Sequence, residues 1–509
     1  MQTELVMKEN EKSALSIYNS LTREKEVFKP LNPPFVGLYV CGPTVYGDPH
    51  LGHARSAVSF DIINRYLKLL GYKVRYVRNI TDVGHMEFEE SESGEDKILK
   101  KARLEELEPM EIAQRYTISY HKGMDALNCL RPDIEPTASG HIVEQIRLVK
   151  KIMDNGYAYE VNGNIYFDLE KYRKDESYGE LSGKVLEELQ SGSRDTAGMD
   201  EKKSPHDFAL WKRATDTHIM RWESPWGEGY PGWHLECTAM STKYLGNKFD
   251  IHGGGLDLQF PHHEAEIAQC KGAYGHGPVT YWVHNNMITI DGAKMSKSAG
   301  NFINLEDLFN GNHEKLEKGF HPMVVRFLML QSHYRSKIDF SNDALEAAEK
   351  GYSRLMSAMN LLDKLPAPSK KEPTDQELDR DIITVCNRCH QTMNDDFNTA
   401  QTLAAIFELV VKVNAFHNRQ SEIESISIET FQLMKETLET FVFDVLGLKQ
   451  IESGDQGLTE ELINLLVEIR LEAKNKRDFE TSDKIRDNLK AIGIQLKDDK
   501  SGTTFEMDH

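Results

Sequence analysis

The tetrapeptide His50-Leu51-Gly52-His53 sets two imidazoles on either side of a glycine, and Lys294-Met295-Ser296-Lys297-Ser298 sets two lysines on a loop far downstream. At a helix start, free backbone N–H groups and the helix dipole already favour an anion. His50 and His53 would add donors to the α- and β-phosphates as negative charge builds. Gly52 removes a side chain that would obstruct an adenine ring. The lysine loop has Gly292 at one end and Gly300 at the other, which suits a mobile segment that closes over a triphosphate. Lys294 and Lys297 would offset charge on the β- and γ-phosphates during in-line displacement. Either element alone is compatible with a turn or a solvated basic loop. Together, and in this order, they point to ATP opened at its α-phosphate.

A second set of residues suits a metal. Cys237 closes the stretch Gly232-Trp233-His234-Leu235-Glu236-Cys237, and His262, His263, Glu264 and Glu266 follow Pro261 at an expected helix start. On a helix His262 and Glu266 are four apart and share a face, and His263 with Glu266, three apart, does nearly as well. A thiolate, an imidazole and a carboxylate suit tetrahedral Zn²⁺, and Cys41 completes the set if the strand ends converge. The spacing leaves open which histidine takes part. Cys386-Asn387-Arg388-Cys389-His390 matches the pattern for c-type haem attachment. It falls in a helical stretch of a chain with no export signal, so two reduced helical cysteines are the better reading.

These groups need elements to hold them. Residues 35–41 read as a buried strand, broken by Gly42-Pro43-Thr44, with the histidine motif at the start of an amphipathic helix. That helix stops at Gly71, and residues 73–78 alternate like a second strand. Strand, helix, strand is a βαβ unit, whose ligand is expected at the carboxyl ends of the strands. Residues 87–106 are strongly charged and read as an exposed loop leading into a helix. From about 131 to 225 short strands and loops punctuated by proline and glycine suggest an insertion between two halves of a nucleotide-binding fold. Residues 342–450 have helical period except for a proline-rich break at 366–373, and predict a bundle. Helical patterns near 459–476 and 480–491, then a β-like tail, form a last unit.

The chain has 509 residues, enough for several domains, with 39% hydrophobic and 28% charged residues. No stretch approaches the roughly 20 apolar residues that span a bilayer, and the amino terminus lacks the basic and apolar regions of a secretion signal. Six scattered cysteines argue against a disulfide framework and for a reducing cytoplasm. A net charge of −20 works against diffuse nucleic-acid binding, so any RNA contact must come from local basic patches.

The ordered motifs resemble those of the cysteinyl-tRNA synthetases, a class I aminoacyl-tRNA synthetase family, over essentially the whole length. The resemblance rests on Tyr39-Val40-Cys41-Gly42-Pro43-Thr44-Val45-Tyr46, the histidine signature, Arg78-Asn79-Ile80-Thr81-Asp82 and Pro205-His206-Asp207-Phe208-Ala209-Leu210-Trp211-Lys212. Residues 231–240, His252-Gly253-Gly254-Gly255-Leu256-Asp257-Leu258 and the lysine signature complete it. It implies an α/β fold: a Rossmann-like class I catalytic domain with a connective insertion, then an all-α helical bundle and a small α+β C-terminal module. The catalytic halves would be 14–134 and 226–285, around an insertion at 135–225. A stem-contact region with the lysine loop would span 286–345, the bundle 346–452 and an anticodon-binding module 457–509.

The resemblance also implies roles. Zinc would be held by Cys41, Cys237, His262 and Glu266, one ion per chain. ATP would meet Gly42, Thr44, His50, Gly52, His53, Gly255, Asp257, Lys294 and Lys297, with Asp257 near the ribose and Mg²⁺ as a charge-neutralising partner. Thr81, Trp233 and His252 would line the cysteine pocket. His50, His53, Lys294 and Lys297 would stabilise charge while the cysteine carboxylate attacks ATP, and the terminal adenosine of the tRNA would then take the cysteinyl group. An apolar pocket separates near-isosteres by only about 1–3 kcal/mol. A metal with affinity for sulfur is therefore a physical means of choosing cysteine over serine. Arg470, Lys474, Arg477 and Lys484 would share one face if the last two helical stretches ran on continuously, and with Phe505 they are candidates for tRNA contact. The expected partners are cognate cysteine tRNA, L-cysteine and ATP, with no membrane, and the expected protein is a cytoplasmic monomer. Departures from the family pattern are modest: Phe505 for tryptophan, Ala265 for asparagine and Tyr230 for arginine. The alternative is a tRNA-independent cysteine ligase with an amino-sugar acceptor, which should lack the last module.

Overall fold

The computed structural model describes residues 14–83, 98, 101–102, 107–184, 201–216, 218–295, 300–451, 456–476, 478–491, 494–499 and 502–507. The chain divides into two compact units, Met1–Lys449 and Gln450–His509.

In the first unit a hairpin of β1 (Ser16–Asn19) and β2 (Glu24–Val27) precedes β3 (Phe35–Val40), α1 (Leu51–Leu69) and β4 (Lys73–Arg78). This is the expected βαβ unit, and Gly71 leaves α1 with φ +86°. Two helices follow, α2 (Pro109–Ala126) and α3 (Ile142–Asp154). An antiparallel sheet is then built from β5 (Ala158–Val161), β6 (Asn164–Phe167), β7 (Ala209–Arg213) and β8 (Gly229–Pro231), with α4 (Leu169–Asp175) after β6. It has its own apolar core around Val149, Phe167 and Trp211. The region read as strands and loops therefore also holds a helix, α3, which buries Ile142, Leu148, Val149 and Ile152 on one face.

The chain returns to the main sheet through α5 (Leu235–Leu245), β9 (Phe249–Gly255), α6 (His262–Tyr274) and β10 (Val279–Asn285). The sheet order is β10-β9-β3-β4, every pair parallel. β9 and β10 are buried on both faces over nearly their whole length, and β3 and β4 over their carboxyl-terminal halves. Gly253 has no side chain because Phe60 of α1 lies where a Cβ would stand. β11 (Ile288–Ile290), β12 (Ala293–Lys294) and β13 (Ile338–Phe340) form a small sheet, with α7 (Leu305–Asn310) and α8 (Pro322–Leu330) between β12 and β13 in the chain.

The bundle comprises α9 (Asn342–Lys364), α10 (Gln376–Asn394), α11 (Thr399–His417) and α12 (Ile428–Glu439), the last running into a π-helical turn, Thr440–Val445. The proline-rich break falls between α9 and α10. Cys386 and Cys389 are buried in α10 among apolar neighbours, as reduced helical thiols should be. Against the expectation that no stretch approaches a membrane span, helix α11 is long and apolar enough to cross one by length and composition alone, and half of that window is buried. The second unit pairs α13 (Gln456–Asn475) with α14 (Phe479–Ala491) and ends in the hairpin of β14 (Ile494–Asp499) and β15 (Gly502–Met507).

Candidate active site

Three elements deliver four donor atoms to one point. β3 ends just before Cys41, whose N–H donates to the carbonyl of Gly253 at 3.0 Å. Gly42 is required next: a Cβ there would overlap the carbonyl of Asn79. Cys237 lies in the first turn of α5, and His262 opens α6 with Glu266 one turn on. Helix starts favour anionic groups, so the Cys237 thiolate stands where the backbone field suits it.

The Cys41 and Cys237 sulfurs are 3.6 Å apart, and His262 Nε2 is 3.4 Å from Cys237 Sγ and 3.4 Å from Glu266 Oε1. Cys41 Sγ lies 3.9 Å from the same Glu266 oxygen. A tetrahedron with ligand bonds of about 2.0–2.3 Å has edges of roughly 3.3–3.8 Å, so the four donors already stand close to zinc spacing. Burial pushes the Cys41 thiol up to about 11 and the Cys237 thiol well above its ordinary value, with Glu266 adding to both. A dication would reverse that cost by making the thiolates the favoured form.

His263 also approaches: its Nε2 is 3.2 Å from Cys41 Sγ, and Cys41, His252, His263 and Glu266 form a second group with metal-like spacing. The cavity distinguishes the two sets. Cys41, Cys237 and His262 line a cavity of about 780 Å³, whereas His263 and His252 are not on its wall. His252 is fully buried behind the donors, its Nε2 2.9 Å from Glu266 Oε2. This departs from the expectation that His252 lines the cysteine pocket. Its reach stops at Glu266, which it can orient. His234 stands similarly behind His262, with their Nδ1 atoms 3.1 Å apart.

The same cavity is walled by Gly42, Thr44, Gly52, Thr81, Trp233, Gly255 and Asp257. At its other end His50 caps α1, its Nδ1 accepting the Gly52 N–H at 3.0 Å, and His53 Nδ1 accepts the His50 N–H at 3.2 Å. The two rings stack at 3.9 Å. Burial lowers the His53 ring to about 4, so it is neutral at pH 7. With each Nδ1 an acceptor, each proton sits on Nε2.

Lys294 ends β12, and Lys297 lies outside the described residues. Among the candidates for tRNA contact, Arg470 is buried in α13, Lys474 and Lys484 are exposed, and Phe505 pairs with Leu496 across the hairpin. Arg477 lies outside the described residues. Because α13 stops at Asn475 and α14 starts at Phe479, the continuous helix that would align these residues on one face is not formed. The charged segment 87–106 lies largely outside the described residues. Sequence reasoning passed over Glu236, a buried carboxylate on the cavity wall whose Oε1 accepts the Thr81 hydroxyl at 2.6 Å.

Comparison with known proteins fits this geometry. Solved class I synthetases share the fold. A Mycobacterium tuberculosis methionyl-tRNA synthetase in complex with methionyl-adenylate superposes with a TM-score of 0.58 at 14% identity, covering 85% of this chain and 94% of that one. An Agrobacterium radiobacter leucyl synthetase in a ternary complex gives 0.58 at 12% identity, covering 87% of each. The model of the class I (C) tRNA synthetase catalytic domain matches residues 27–350, and that of the DALR domain matches 388–450. The fold and catalytic domain are thus those of a class I aminoacyl-tRNA synthetase. Cysteine–tRNA ligase of Porphyromonas gingivalis is 54% identical over 97% of this chain and 99% of its own length. That of Cytophaga hutchinsonii is 55% identical over 96% and 98%, and that of Chlorobaculum tepidum 47% over 97% and 99%. The chain belongs to the cysteine–tRNA ligase family.

Proposed function

We propose that this protein ligates L-cysteine to its cognate tRNA through a cysteinyl-adenylate, with ATP and Mg²⁺ as co-substrates and zinc as the selector of the thiol. The observation that carries this reading is a single cavity with metal-spaced Cys41, Cys237 and His262 at one end and His50 and His53 at the other. Cys41, Cys237, His262 and Glu266 would hold the zinc. When bound, the zinc supplies a Lewis-acidic centre with greater affinity for sulfur than for a neutral hydroxyl.

The remaining steps fall to the chain's own residues. His50 and His53 donate Nε2–H bonds to the phosphates as charge builds at the α-phosphate, with Lys294 and Lys297 offsetting charge on the leaving pyrophosphate. Gly42, Thr44, Gly52, Gly255 and Asp257 shape the nucleotide's bed, Asp257 beside the ribose, while Thr81 and Trp233 flank the amino acid. His252 is a positioning residue that holds Glu266. The second unit, with Lys474, Arg477, Lys484 and Phe505, is the tRNA-reading module. We read the protein as a cytoplasmic monomer, a setting in which its six free cysteines stay reduced. The tRNA-independent ligase is not favoured, because relatives named as tRNA ligases match nearly the whole chain, second unit included.

Charging of tRNA with cysteine against serine, with zinc measured on the same sample, tests the reading. Cysteine should be charged with about one zinc per chain, serine should not, and Cys237→Ser should abolish cysteine-dependent ATP–pyrophosphate exchange. Full exchange by that variant would sink the zinc assignment, and exchange without any charging of tRNA would favour the amino-sugar ligase.

A further inference from the structure

Cysteine offers three handles: thiol, carboxylate and ammonium. Selection through the metal reads the thiol, and activation consumes the carboxylate. The ammonium needs a partner of its own, because a charge taken into a cavity wall unpaired is costly. Only two carbons separate the thiol from the ammonium, so that partner must stand within a few ångströms of the metal donors.

Glu236 meets this requirement. It precedes Cys237 in the first turn of α5, is 2% exposed, and lines the cavity with Cys41, Thr81, Trp233 and Cys237. An acid in a first helical turn is commonplace on a surface, where the dipole alone accounts for it. Here the carboxylate is buried and held in place. Asn79 Nδ2 donates to Thr81 Oγ1 at 3.1 Å, and Thr81 in turn donates to Glu236 Oε1 at 2.6 Å. Asn79 is itself fixed by the Gly42 N–H on its Oδ1 at 2.8 Å. The direction of this relay turns the Thr81 proton toward Glu236 and leaves a hydroxyl lone pair as a second acceptor.

We propose that Glu236, braced by Thr81 and Asn79, is the counter-ion that binds the α-ammonium of substrate cysteine, making the site selective for thiols that carry a free amine. The inference rests on the cysteine-activating reading of this cavity. Thiol peptides with an acylated amine would be rejected although their sulfur suits the metal.

Calorimetric binding to the zinc-loaded, full-length chain separates this role from a structural one. The probes are cysteamine, which keeps thiol and ammonium, and 2-mercaptoethanol, which replaces the ammonium with a hydroxyl. In Glu236→Gln the preference for cysteamine should fall about 10- to 100-fold, the scale of a lost charge-assisted hydrogen bond, with zinc content unchanged. Equal weakening of both probes, or an unaltered preference, would overturn the proposal. Independently of any variant, a crystal of the wild-type chain with bound cysteine should show the ammonium nitrogen about 2.7–3.2 Å from a Glu236 oxygen, and a nitrogen turned elsewhere overturns it. Wild-type protein with no cysteine-dependent ATP–pyrophosphate exchange would instead remove the reading beneath it, and the inference would fall with that reading.

Discussion

His50 has two separable tasks. Its Nδ1 caps α1 by accepting the Gly52 N–H, while its Nε2–H is the donor assigned to a phosphate. Asparagine is among the best N-cap residues but cannot project a donor from the far side of a ring. His50→Asn should therefore leave the melting temperature within about 2 °C of wild type. It should lower the rate of ATP–pyrophosphate exchange by about 10²–10³-fold, the usual cost of one transition-state donor. Calorimetry and an exchange assay on one preparation check both halves, and unchanged exchange would remove His50 from the phosphate site. His50, His53, Cys41 and Cys237 were legible because their chemistry is unusual and their motifs are short. His252 was harder to read: its place behind Glu266 depends on how β9 and α6 pack, which no local pattern carries. Glu236 was passed over because an acid at a helix start reads as a surface feature until its burial is known.

Helix α1, which begins at the phosphate site, is tied to the rest of the first unit by a buried ion pair. Arg326 of α8 is fully buried and donates to Asp61 Oδ2 at 2.6 Å, to the carbonyl of Leu446 at 2.7 Å and to that of Leu127 at 2.9 Å. Asp61 also accepts the Leu130 N–H at 2.8 Å and Arg65 Nε at 2.8 Å. Removing the guanidinium takes a fully buried cation from Asp61, which keeps Arg65 and the Leu130 N–H, and strands two carbonyls. Arg326→Met should cost about 3–5 kcal/mol, read from urea unfolding. A loss below about 1 kcal/mol would mean that water or a neighbour replaces the contact. The elements joined here were mostly readable. The βαβ unit, the break at 366–373 and the β character of the tail follow from periods and stop signals within a few residues. Helix α3 was missed although Ile142, Leu148, Val149 and Ile152 have helical spacing, because the prolines and glycines around it dominated the reading. The break between α13 and α14 was legible to within a few residues, from the helical stretches at 459–476 and 480–491; what fails is the condition that the two run on continuously.

At the scale of the whole molecule, a chain of net charge −20 must bind a polyanion. Uniform electrostatics oppose this, so affinity has to come from local, shape-fitting contacts. The division at Lys449 makes the contribution of the last unit testable. The first unit holds its own core, from Leu15 to Leu448, and contains every residue assigned to zinc, ATP and cysteine. The second has a small core around Ile463, Leu489 and Ile494. On these assignments cysteine activation would need only the first unit, whereas charging would need the tRNA held as well. A chain ending at Lys449 should therefore keep cysteine-dependent ATP–pyrophosphate exchange within about 3-fold of wild type and melt at nearly the same temperature. Its kcat/KM for charging tRNA should fall by about 100-fold or more, a loss of roughly 2.7 kcal/mol of binding to the nucleic acid. Because phosphate contacts are lost with the module, the remaining charging should also depend less steeply on salt. Intact charging by the truncated chain would remove the tRNA-reading role from residues 450–509. Loss of exchange together with charging would mean that the first unit does not stand alone. Exchange kept and charging lost is the outcome that the separate cores predict.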